Sequence, residues 1–113
     1  MERISERFNK ELKGELILHG KIYDVTLENF AEKGIKVTTE PNNSAVDYLS
    51  DEIIYLEFEI PSGEVLSLHC KVKWSRKRSS DSIIEDIGLE IIEQSPKFED
   101  FYKDLVINDM LFL

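Results

Sequence analysis

Apolar and polar positions alternate through most of this chain, and the alternation predicts strands. Leu12, Leu16 and Leu18 share one phase and Ile17 adds an apolar neighbour, which predicts a first strand buried on much of both faces. His19-Gly20 reads as a tight turn into a second strand, Lys21 to Glu28, with Tyr23, Val25 and Leu27 on one face and Ile22, Asp24 and Thr26 on the other. Asn29 to Gly34 reads as a turn, and Ile35-Lys36-Val37-Thr38-Thr39 resumes a β-branched strand. Pro41-Asn42-Asn43-Ser44 breaks it, and Ala45 to Ser50 is compatible with a short helical turn. Glu52 to Ile60 gives the clearest strand, with Ile54, Leu56, Phe58 and Ile60 in strict alternation. Pro61-Ser62-Gly63-Glu64 is a hairpin turn, since proline presets φ and glycine is free to take positive φ. Val65 to Trp74 then pairs back. Leu66, Leu68, Cys70, Val72 and Trp74 share its inner phase, which places Trp74 in the core. Arg76 to Asp81 reads as a charged loop, and Ile87 to Ile92 as the last strand.

The period changes at the end. Ser95 is a good N-cap, Pro96 fits the first helical position, and Glu99 and Asp100 favour the positive end of the helix dipole. Phe98, Phe101, Tyr102, Leu105 and Val106 recur at three and four, the amphipathic helical spacing. The fold class that follows is all-β with one helix: a six-stranded antiparallel β-barrel plus a C-terminal α-helix. Closing the sheet removes its edges. The expected organisation is one domain over residues 1–113, with an N-terminal arm at 1–10, the barrel at 12–93 and the helix at 95–110. At 113 residues the chain can bury a single core and no more.

The formal net charge of −9 argues against generic nucleic-acid binding, because a polyphosphate backbone is repelled overall. Screening confines charge effects to roughly 8 Å at physiological salt, so a few clustered arginines can still hold a small anion. The arginines are scarce and paired, Arg3 with Arg7 and Arg76 with Arg78. A single cysteine, Cys70, excludes an internal disulfide and suits a reducing compartment, and no apolar run is long enough to span a membrane. The N-terminus lacks the apolar stretch of a secretory signal, so a cytoplasmic location is expected. His19 and His69 have no ligand-spaced partners, Cys70 lies mid-strand, and no catalytic constellation is evident.

Two patterns carry the functional signal: Arg3-x-x-x-Arg7, and downstream Asn29-x-Ala31-x-x-Gly34. Paired guanidiniums clamp phosphates or a guanine face, and a small-residue turn lets backbone approach a planar ligand. With the hairpin, the strand ending in Val72-Lys73-Trp74, the glycine-containing last strand and the terminal helix, the chain resembles the PilZ domain family from Arg3 to about Leu105. The resemblance implies a six-stranded barrel that binds the bacterial second messenger cyclic di-GMP. It implies that Arg3 and Arg7 contact phosphate oxygens and stack on guanine, that Asn29 pairs with a guanine edge, and that Gly34 permits a sharp turn or close approach. Ala31 stands where the family usually has serine, so one hydroxyl contact is missing. A rival register sets Asp24-Val25-Thr26 on the motif with Asn29 in the glycine position, since asparagine tolerates positive φ.

The expected function is a stand-alone, non-enzymatic receptor that binds cyclic di-GMP, without a cofactor, and relays its level to an unidentified protein partner. With an arm that begins at residue 3, no domain is expected ahead of it. Two alternatives stand beside this. One is a degenerate domain of the same fold that binds no nucleotide and serves as a protein-interaction adaptor. The other is a small barrel binding single-stranded nucleic acid through Trp74 and the basic run Lys71, Lys73, Arg76, Lys77, Arg78. The apolar ending Met110-Leu111-Phe112-Leu113 either packs on its own barrel or meets a partner or a second copy, as in a homodimer.

Overall fold

The alternation sorts into six strands, β1 (Leu12–Leu18), β2 (Lys21–Ala31), β3 (Gly34–Thr39), β4 (Ile53–Glu59), β5 (Val65–Lys77) and β6 (Glu85–Ile91), followed by α1 (Pro96–Leu111). A computed structural model describes residues 11–40, 52–78, 84–93 and 95–111. Every neighbouring pair is antiparallel, and the sheet closes in the order β1-β2-β3-β6-β5-β4 with β4 returning to β1. The predicted arm, with Arg3 and Arg7, and the suggested helical turn at 45–50 lie outside the described residues, as do the side chains of the apolar ending.

The β1–β2 turn is built from His19 and Gly20 at φ 54° and 76°, the doubly left-handed geometry of a two-residue hairpin. Inward positions form one core: Leu16, Val25, Leu27, Phe30, Val37, Leu56, Cys70 and Ile87 are fully buried. Ser95 caps α1, its hydroxyl accepting from the Phe98 N–H at 3.2 Å and its carbonyl from Glu99 at 2.9 Å. The helix docks through Phe98 and Phe101, with Phe101 edge-on to Phe30 at 5.5 Å. Among the described residues no helix is long and apolar enough to cross a membrane.

Two strands run longer than their alternation predicts. β2 does not stop at Glu28 but continues to Ala31, and β5 runs past Trp74 because Ser75, Arg76 and Lys77 pair with Ile87, Asp86 and Glu85. In both cases an extra residue disturbs the period and the ladder resumes beyond it.

Candidate functional site

Both disturbances border the same groove. In β2 the register steps from Glu28↔Lys36 to Phe30↔Ile35, which leaves Asn29 as an extra, unpaired residue with φ 50°. Asparagine enters the left-handed region more readily than most residues, so it suits this bulge. In β5 the register steps from Val72↔Leu89 to Trp74↔Gly88, and Lys73 is the extra residue. Neighbours in a regular strand point to opposite faces, whereas a bulge sets two residues against one. Lys73 and Trp74, adjacent in sequence, therefore line one groove together.

This corrects the placement of Trp74 in the core. Counting by twos from Leu66 carries Trp74 inward, but the bulge at Lys73 resets the phase. Trp74 comes to lie opposite Gly88, on the outer surface and 44% exposed. Gly88 is what seats it, since a Cβ there would collide with the indole ring. Gly34, by contrast, makes no use of left-handed backbone. A Cβ at Gly34 would come within 3.1 Å of the Leu89 carbonyl, so glycine there serves the close approach of β3 to β6. The left-handed residue of the motif is Asn29.

The groove has a volume of about 440 Å³ and brings together Asn29, Ala31 and Gly34, the three barrel residues singled out in the sequence. Lys33, Lys36, Lys73 and Trp74 join them, and none of the ten lining residues is acidic. Lys36 is held by Glu28 at 3.4 Å, while Lys33 and Lys73 are exposed. Asp24, the anchor of the rival register, lies mid-strand opposite Glu15 and does not line the groove. Arg3 and Arg7 are not among the described residues, but the chain enters the barrel nearby. Leu12 pairs with Leu27, two residues before Asn29. From Glu11 back to Arg7 an extended chain reaches at most about 14 Å.

Beside the groove, a polar cluster fixes the neighbouring row. The Thr38 hydroxyl donates to Asp86 Oδ1 at 2.9 Å, and Arg78 Nη2 donates to the same oxygen at 3.1 Å. Burial pushes the Asp86 carboxyl up, but the Arg78 and Thr38 hydrogen bonds outweigh it and hold the group below its ordinary value. Arg78, expected in a loop, is thus engaged at the end of β5. Burial pushes the Cys70 thiol up to about 12, which keeps it protonated at neutral pH.

Residues that sequence reasoning missed are Lys33, Lys36 and Gly88. Gly88 was visible only as a glycine in the last strand, and nothing in its neighbours announces a tryptophan above it.

The family model for the PilZ domain matches residues 2–107, a span that takes in both the arginine pair and the groove. None of the curated proteins matches the chain. PilZ domains are in general cyclic di-GMP-binding adaptor domains rather than catalysts.

Proposed function

The chain belongs to the PilZ domain family, and on that premise we propose that it is a cytoplasmic receptor that binds cyclic di-GMP at the groove between the two bulges and relays its level to a partner protein. One observation carries the reading: the motif residues of β2 and β3 converge with Lys73 and Trp74 of β5 on a groove lined by lysines and no carboxylate. Asn29 offers a carboxamide to a guanine edge, and Trp74 offers a ring face on which a base can stack, worth about 1–3 kcal/mol per base. Lys33 and Lys73 supply charge to the phosphates. Arg3 and Arg7 arrive from the arm, where the planar fork of arginine can grip a phosphate or lie on a purine as lysine cannot. Ligand gripped by arm and groove together favours the state in which the two are joined, and that joined surface is the one shown to a partner.

Ala31 weakens the site without abolishing it. One neutral hydrogen bond is worth about 0.5–1.5 kcal/mol, or roughly two- to tenfold in affinity. Titration calorimetry of the full chain with cyclic di-GMP tests the proposal, and an absence of heat at high micromolar ligand rejects it. Arg7→Ala is expected to lose most of the affinity and Ala31→Ser to raise it. If neither substitution changes binding, the site is elsewhere.

Ala31 and the net charge of −9 favour a second reading, an adaptor of the same fold that binds no nucleotide, and the same titration separates the two. The exposed Trp74 beside Lys73 is also the geometry of a single-strand platform. A gel shift that fades steeply with salt would support that reading, and failure to shift an oligonucleotide at low salt would dismiss it.

A further inference from the structure

The half of the barrel away from the groove carries a second organised surface. Ile22, Ile17, Tyr55 and His69 are successive cross-strand partners over β2, β1, β4 and β5. They alternate with buried residues on every strand, so all four face outward. Ile22 is 60% and Tyr55 44% exposed, and the Tyr55 ring stands edge-on to His69 at 4.8 Å. At strand spacing the row extends about 14 Å across the barrel. Two residues further along each strand lies a parallel row, Asp24, Glu15, Glu57 and Ser67. Three carboxylates there are direct cross-strand neighbours, an arrangement that destabilises a sheet. Lys13, one outward position further along β1, donates to Glu40 at 2.9 Å.

We propose that these two rows form a docking surface for a basic amphipathic helix of a partner protein, its aliphatic stripe on Ile22, Ile17 and Tyr55 and its lysines or arginines on Asp24, Glu15 and Glu57. The acidic row selects the sign of the partner and steers its approach. It also opposes a second copy of this chain in any two-fold contact centred on the acidic row, where the carboxylates would meet themselves. Every strand is already paired on both sides in the closed barrel, so the partner must be read through side chains and not by strand addition. The adjacent apolar and charged rows match the adjacent stripes of an amphipathic helix.

The inference extends the receptor reading to its partner, and its test is run without cyclic di-GMP so that the two can fail separately. The probe is a synthetic leucine/lysine amphipathic helix, with a leucine/glutamate peptide of the same pattern as control, titrated into the nitrogen-15-labelled full chain. The leucine/lysine peptide should shift amides of β1, β4 and the first half of β2, and the control should shift none. Glu15→Lys with Glu57→Lys should weaken the first peptide at least tenfold and give the second a measurable affinity. Ile22→Ser, at an exposed position that leaves the core intact, should also weaken binding while the circular dichroism spectrum stays the same. The proposal is overturned if neither peptide binds, if both bind alike, if charge reversal has no effect, or if the shifts gather at Asn29, Gly34 and Trp74. A dimer in sedimentation that disappears with Ile22→Ser would assign the surface to a second copy instead.

Discussion

The two halves of this barrel share one core and treat their outer surfaces differently. Across β2, β1 and β4 the register between Leu12 and Leu27, and between Gly14 and Phe58, runs without interruption, and the outer face is a regular grid of apolar and acidic rows. Where the far end of β2 meets β3, and where β5 meets β6, the grid is broken at Asn29 and Lys73, and the break makes the groove. A regular ladder can present a surface but cannot bring sequence neighbours to one side. A concave site for a compact anion needs that convergence, and a bulge supplies it.

Gly14 and Gly88 sharpen the contrast most. A Cβ on Gly14 would come within 2.9 Å of the Glu57 backbone carbonyl and against the buried Leu27, neither of which can step aside. Gly14→Ala should therefore cost about 1–3 kcal/mol, read as a lower denaturation midpoint with nucleotide affinity unchanged in the folded fraction. Gly88→Ala meets a half-exposed indole that can swing out, so its main effect should fall on ligand binding. Trp74→Ala removes the ring outright and should weaken cyclic di-GMP roughly tenfold by calorimetry, with little loss of stability. If both groove substitutions leave affinity intact, the broken half is not the binding half.

The regular half should respond in the opposite direction. Glu15 faces a carboxylate on each side, so Glu15→Gln should stabilise the fold by about 0.2–1 kcal/mol in urea denaturation while weakening the leucine/lysine peptide. A stabilising change that costs binding would mark the row as kept for recognition. The smallest effect concerns acid. Asp86 is held below its ordinary value of 3.8, so its contribution is complete above that pH and is lost as the pH falls toward its folded value. Asp86→Asn should flatten the fall in stability below pH 3.8, though Arg78 then lacks its charged partner at neutral pH.

The fold was legible because each half-buried strand writes its two faces into the sequence. Tyr23, Val25 and Leu27, and later Ile54, Leu56 and Phe58, are inward residues that any period-two reading finds. The helix announced itself through Ser95, Pro96 and the spacing of Phe98 and Phe101. The candidate groove was half legible. Asn29, Ala31 and Gly34 were found as a motif, but Trp74 was misplaced because a bulge leaves no compositional mark. Its two sides are each in phase, and only the partner strand shows that a residue has been added. Gly88 was missed for a related reason: it reaches the groove from β6, a strand that no local pattern links to Asn29. Lys36 follows the motif on β3 and was missed because an alternating lysine reads as an ordinary outward position.

The seating of Trp74 on Gly88 has a practical side. It is the only tryptophan in the chain, and it sits in the groove wall, partly open to solvent. The protein thus carries its own fluorophore at the place where a nucleotide base would arrive. Emission from the unlabelled chain can follow occupancy directly, in dilute solution and in the same cuvette for every groove variant that keeps the ring.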